Sequence, residues 1–160
     1  MIREISSAEF RLLWPIFKEV VAKGDTYAYS PTITEAEARA LWTTPPCRCF
    51  VLEHEGEVVG GYMLRPNQPG LADHIANAGY MVGSQWRGRG FASQMCEHSL
   101  KVAREAGFLA MQFNFVVSTN MTAVRLWEKH GFAIVGRVPN AFRHAELGPV
   151  DALIMYRSLD

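Results

Sequence analysis

The chain has 160 residues, and its 16 Lys plus Arg are balanced by 16 Asp plus Glu. A single domain of that length buries a sizeable core, and zero net charge gives no reason to expect a nucleic acid or a charged membrane surface as partner. No apolar run reaches the ~20 residues that span a bilayer, and Met1-Ile2-Arg3-Glu4 opens no signal-peptide core, so a cytoplasmic protein is expected.

Residues 2–6 read as a short first strand. Residues 8–22 carry Phe10, Leu13, Trp14, Phe17, Val20 and Val21 on one helical stripe, with Pro15 distorting the helix or delaying its start and Gly24 ending it. Residues 25–31 form a loop. Thr34 and Glu37 make a capping box for a second helix that runs to about Trp42. Residues 47–54 and 58–65 are strands joined by a hairpin turn at Glu55-Gly56-Glu57. Cys47 and Cys49 share a face of the first of these strands and are poor disulfide partners for each other. Cys96 makes the count odd, so the thiols are expected to be reduced, and no metal-type spacing appears.

Residues 73–82 form the next strand, with Asn77 inside it. A small, polar turn follows at 83–86, then Arg87-Gly88-Arg89-Gly90-Phe91-Ala92-Ser93, then a helical pattern that Gly107 stops. Strand, glycine-rich turn and helix start together suit an anion, because the first amides of a helix lack partners and sit at its positive end. Gly88 and Gly90 bare the backbone, and Arg87 and Arg89 add charge. There is no Gly-Lys-Ser/Thr, which excludes a P-loop, and the dinucleotide spacing breaks at Ser93. Residues 108–117 are a strand containing Asn114, and residues 121–130 a helix capped by Asn120 and closed by Gly131. Strands at 132–138 and 150–158 finish the chain, with a loop at 139–149. The βαβ crossovers predict an α/β domain with a mixed sheet of about seven strands and helices on both faces.

The Arg-x-x-Gly-x-Ala of Arg87, Gly90 and Ala92, followed by the Asn-x-x-Ala-x-x-Leu-aromatic-x-x-x-Gly-Phe of residues 120–132, resembles the GCN5-related N-acetyltransferase (GNAT) family. The resemblance covers roughly residues 50–157. It implies a single-domain GNAT-like fold over residues 1–160, with a mostly antiparallel sheet splayed between its two central strands. It also implies acetyl-CoA as co-substrate and no metal. The diphosphate would take the amides of residues 88–93, so that Arg87, Gly88, Arg89, Gly90, Phe91, Ala92 and Ser93 bind cofactor. Main-chain groups of Met81 and Val82 would hold the pantetheine arm, with Asn120 near the thioester or serving as an N-cap. The family's acid is a tyrosine, where this chain has Trp127; that indole packs on the cofactor arm or in the core. The family's base, a glutamate on strand 73–82, is not evident.

Asn77 and Asn114 are the polar residues inside otherwise apolar strands, and burying an unpaired amide costs ~1–3 kcal/mol. They are expected to contact substrate and, with Asn120, to form the catalytic set, unless each bonds to neighbouring backbone. Asp73 and His74 are the runner-up bases, and a Cys96 acyl relay is not expected. Tyr27 and Tyr29, with Arg143 and His144 on the 139–149 loop, are expected to wall the acceptor pocket. Aromatics with a cation suit a small amine that also bears a carboxylate. The reading is N-acetylation of a small amine. The alternatives are acetylation of a protein N-terminus or lysine, and a non-catalytic acyl-CoA-binding module. Exposed strand edges are compatible with a homodimer.

Overall fold

Apolar alternation on either side of Glu55-Gly56 folds into the first hairpin of the sheet, β2 (Arg48–His54) and β3 (Glu57–Pro66). Glu55 and Gly56 both have positive φ (51° and 82°), the conformation that a two-residue hairpin turn needs to match strand twist. The computed structural model describes residues 1–160. It adds β1 (Ile2–Ile5), β4 (Ile75–Val82), β5 (Ala110–Val117), β6 (Ala133–His144) and β7 (Gly148–Ser158), with helices α1 (Trp14–Lys23), α2 (Glu35–Thr43), α3 (Phe91–Glu105) and α4 (Met121–Lys129). The strands form one seven-stranded sheet in the order β1-β2-β3-β4-β5-β7-β6. Every pair is antiparallel except β4/β5.

Helices cover both faces, as expected. On one side, α3 and α4 close a core of 23 buried residues that includes Met95, Leu100, Met111, Phe113 and Trp127. On the other, α1 and α2 close a core of 14, with Phe17, Trp42 and Val51 at its centre.

Two expected elements differ. The single helix over 8–22 is instead a 3-10 segment, Ser7–Leu12, followed by α1. Ser6 and Glu9 form a capping box for the first piece, and Pro15 falls in the first turn of α1, where a missing N–H costs nothing. The loop at 139–149 is mostly strand. Phe142 pairs with Val150 and His144 with Gly148, so β6 and β7 form a long hairpin turning at residues 145–147. Pro139 is tolerated because β6 is the sheet's edge and the register shifts between Val138 and Phe142. Asp151 anchors this bulge by accepting from the Asn140 N–H at 3.0 Å.

The feature that positions the site is the short β4/β5 pairing. It holds only at Ile75↔Ala110 and Ala76↔Met111, after which the strands part. On its other side β4 stays in register with β3 from Ala76 to Val82. That close packing yields a test: a Cβ at Gly60 would lie 2.6 Å from the main-chain oxygen of Met81. Gly60→Ala is expected to cost roughly 1–3 kcal/mol, read as a lower urea midpoint; an unchanged midpoint would mean that the β3–β4 contact yields freely.

Candidate active site

The parting of β4 from β5 leaves backbone without a strand partner. Gly83 N–H bonds to Val59 C=O and Asn67 N–H to Ile75 C=O, so the odd-numbered residues of β4 turn their main-chain groups to β3. Met81, opposite Gly61, therefore spends its amide there. Met81 lines the larger cavity as expected of a cofactor-binding residue, but with its main chain turned to β3 and not to the gap. Ala78, Tyr80 and Val82 face the gap. Tyr80 is served by a side chain: the Tyr27 hydroxyl accepts from Tyr80 N–H (2.8 Å) and donates to Tyr80 C=O (2.7 Å).

Two cavities meet at this gap. The larger, about 600 Å³, runs along the start of α3 and the flank of α4. Its lining includes Val82, Arg87, Gly88, Gly90, Phe91, Ala92 and Ser93. The main-chain N–H groups of residues 88–93 have no acceptor in the protein, since the first bond of the helix is Gln94 N–H to Gly90 C=O. Gly88 (φ 73°) and Gly90 (φ 82°) are left-handed, which explains the residue type better than space does, for a Cβ at either would meet nothing. Arg87, Arg125 and Lys129 line the cavity, and no acidic side chain does. Free helix amides, three cations and an apolar floor fit the diphosphate and arm of acetyl-CoA. Arg125 and Lys129 escaped the sequence reading; their i, i+4 spacing on α4 put them on one face and was the available signal.

Arg89 does not belong to this lining. Its guanidinium lies over the rings of Trp86 (5.0 Å) and Phe91 (5.7 Å), where cation–π attraction holds it. Ser93 lines the cavity, but its hydroxyl is 2.8 Å from His130 Nε2.

The second cavity, about 380 Å³, is lined by Tyr27, Tyr29, Met63, Arg65, Asn77, Asn114 and the apolar residues around them. Thr26, Tyr27, Tyr80, Asn120, Ala123 and Trp127 line both cavities and so form their common wall. Trp127 is 8% exposed and packs on Tyr80 (4.9 Å) and Phe113 (5.0 Å). It is thus core and wall at once. Asn120 caps α4, its Oδ1 accepting from Ala123 N–H, which leaves Nδ2 without a protein acceptor.

The two strand asparagines are unlike. Asn77 is 6% exposed, and its Nδ2 donates to Gln112 C=O (2.9 Å) across the gap just where pairing fails. Asn114 is exposed. Its Nδ2 donates to Asn67 Oδ1 (2.6 Å) and its Oδ1 accepts from Gln112 Nε2 (3.1 Å), so the expectation of a buried, unpaired amide is corrected there. Arg143 and His144, expected to supply the acceptor cation, are part of the β6–β7 hairpin and line neither cavity. His144 Nδ1 instead accepts from the N–H groups of Glu146 and Leu147. The cation present is Arg65, the one formally charged residue lining the smaller cavity. Alternation with Met63 on β3 was the missed clue. Asp73 and His74 precede β4, are exposed, and line neither cavity. Cys96 is buried and its thiol is pushed up to about 12 by burial, which excludes a thiolate at neutral pH.

A splayed mixed sheet, with a helix start of unpaired amides beside the opening, defines the class of acyl-CoA-binding transferases. The family model described as Acetyltransferase (GNAT) family matches residues 7–132, and the chain belongs to that family. It is 33% identical over 104 residues to N-acetyltransferase aca1 of Schizosaccharomyces pombe, covering 64% of this chain and 50% of that protein. It is 32% identical over 111 residues to L-amino acid N-acetyltransferase AaaT of Escherichia coli K12, covering 64% of this chain and 63% of the relative. The chain thus spans about half to two thirds of these relatives. A solved GCN5-related N-acetyltransferase from Kribbella flavida superposes with a TM-score of 0.92 at 40% identity, covering 99% of this chain and 96% of that one. No helix is long and apolar enough to cross a membrane.

Two outcomes are expected here. CoA raises the thermal midpoint, and Arg125→Ala and Lys129→Ala each diminish that rise without moving the midpoint of the free protein; an undiminished rise in both would place the anion elsewhere. Burial also lowers the pKa of His98 and His130. The folded state then resists protons that the unfolded chain accepts, so stability is full above the ordinary value of 6.5 and is lost as pH falls below it. A melt series should decline from about pH 6.5 downwards, and His130→Asn should flatten part of the decline.

Proposed function

We propose that the protein is an acetyl-CoA-dependent N-acetyltransferase whose acceptor is a small amine that also carries a carboxylate, as in an amino acid or close analogue. The observation that carries this reading is Arg65. It lines a mainly apolar, aromatic-walled cavity as its only formal charge, and it takes part in none of the chain's ion pairs. Arg65 is solvent-exposed at the rim of this cavity, and a guanidinium with free donors beside apolar walls recognises a carboxylate through paired hydrogen bonds. The relationship to a protein named as an L-amino acid N-acetyltransferase supports the same class.

When bound, acetyl-CoA supplies an activated acetyl group. The chain's own residues bind and orient. Unpaired amides at 88–93, with Arg87, Arg125 and Lys129, hold the diphosphate end. Val82 offers its gap-facing main chain to the arm. Asn77 Oδ1 has no protein donor and is free to accept an N–H of the acceptor amine, while its Nδ2 ties β4 to β5. Asn114 has both amide atoms engaged and contributes wall. No carboxylate or histidine lines the smaller cavity, so the amine's proton leaves to solvent and not to a side-chain base. Apolar walls assist by disfavouring the charged ammonium.

The test is thiol release from acetyl-CoA over a panel of L-amino acids, simple amines and short peptides. Amino acids are expected to turn over. Preference for peptides would favour acetylation of protein termini or lysines, and no release with any amine would leave a binding module. Arg65→Ala should raise KM for the amino acid at least about tenfold, roughly 1.4 kcal/mol, with KM for acetyl-CoA unchanged. Asn77→Ala should lower kcat about tenfold or more while CoA still protects against heat.

A further inference from the structure

The wall between the two cavities carries a hydroxyl that the reading above leaves unused. We propose that Tyr27 is a catalytic residue of this acetyl transfer: its hydroxyl donates a hydrogen bond to the thioester oxygen as negative charge develops there. The inference rests on the proposed acetyltransferase activity and adds a residue to it.

Tyr27 lines both cavities, so its phenol stands where an acetyl group held on one side must meet an amine held on the other. Its hydroxyl lies in the gap between β4 and β5, bonded at 2.8 Å from Tyr80 N–H and 2.7 Å to Tyr80 C=O. Accepting from an amide N–H polarises the phenol and strengthens its own O–H as a donor. To act, that O–H need only turn from the Tyr80 carbonyl to another acceptor beside it, while the N–H behind continues to hold the oxygen.

The Tyr27 ring stacks on Tyr29 at 5.6 Å with planes 9° apart. Tyr29 packs on Phe17 (5.3 Å), and its hydroxyl accepts from Trp42 Nε1 at 3.0 Å. The ring and its oxygen are therefore held in place before reaction, so that only the O–H has to reorient. Of the other phenols, Tyr62 bonds to His98 and lines neither cavity, Tyr80 bonds to Ser99 inside the core, and Tyr29 lines only the smaller cavity. Trp127 offers no hydroxyl.

Burial raises the phenol pKa of Tyr27 above its ordinary value, so it keeps its proton throughout. It is a donor and not an acid. The chemistry balances without it: attack of the amine nitrogen forms the C–N bond and moves the C=O π pair onto oxygen. C–S cleavage then returns that pair and releases the thiolate. The proton that nitrogen loses and the proton that the thiolate gains are equal in number and pass through solvent.

A purely structural reading also exists, in which Tyr27 does no more than satisfy the Tyr80 main chain. Tyr27→Phe in the 160-residue chain separates the two. With acetyl-CoA and the best amino acid of the panel, kcat is expected to fall about 100-fold or more, with KM for acetyl-CoA little changed and heat protection by CoA retained. Independently of turnover, infrared spectra of bound 13C-carbonyl acetyl-CoA, taken without acceptor, should show the C=O stretch lowered in the wild type and back at its solution frequency in Tyr27→Phe. Wild-type turnover, or an unchanged bound stretch, in Tyr27→Phe overturns the inference. If that variant fails to fold, Gly79→Ala replaces it: its Cβ would lie 3.3 Å from Tyr27 Oη and crowd the hydroxyl by a few tenths of an ångström. A fall in kcat with a raised C=O frequency supports the role, and wild-type values for both end it. A wild type inert toward every amine defeats the acetyltransferase reading itself, a result distinct from either.

Discussion

Two strands that pair at one end and part at the other govern this molecule. β4 and β5 share register at only two positions, and beyond Ala76 and Met111 the inner edge of β4 has no neighbour. Buried main-chain N–H and C=O groups must be bonded or bear a cost. The chain meets that demand twice with side chains: Asn77 reaches across to Gln112 at the fork, and Tyr27 reaches in from the α1–α2 connection to Tyr80. What stays open, notably at Val82, is where an elongated amide-bearing ligand gains most. The parting of the strands also opens the cavities, so the sheet defect and the site are one feature.

Charge is divided between the cavities in a way that separates their tasks. The larger has Arg87, Arg125 and Lys129 with bare helix amides and no acid. The smaller has Arg65 alone. Two positively biased compartments meet at a neutral wall of Tyr27, Tyr80, Asn120 and Trp127. Cations outside an uncharged common wall are compatible with the proposed pairing of an anionic cofactor on one side with a carboxylate-bearing acceptor on the other.

Much of this was legible in the sequence, because it rests on local rules. The glycines at 88 and 90, the Asn120 cap and the paired strand patterns each announce themselves by residue type and spacing. The failures share a cause, which is that the deciding contact is long-range. Pro139 and the polar residues after it read as loop until β7 supplies a bulged partner. Arg89 reads as a phosphate ligand until Trp86 and Phe91 are seen beneath it. Arg143 and Arg65 are equally anonymous cations, and only the register of β3 against β4 puts Arg65 over the cavity. Asn114 looked buried because its neighbours are apolar, yet the divergence of the strands exposes it.

The absence of a carboxylate or histidine from the acceptor cavity has a physical consequence for the substrate class proposed above. A free amino acid in water is a zwitterion, and its own carboxylate stabilises the ammonium. In the proposed complex, pairing that carboxylate with Arg65 would neutralise the internal partner, and the apolar Met63, Phe113, Val116 and Val117 of the same cavity would weaken solvation of the charge. Both effects lower the amine's pKa. The arrangement favours the neutral nucleophile by unmaking the zwitterion, a route closed to an isolated lysine ε-amine, whose ordinary pKa of ~10.4 would have to fall much further with no carboxylate to surrender. On these grounds the proposed α-amino acid acceptor suits a cavity with one arginine and no base better than a lysine side chain would.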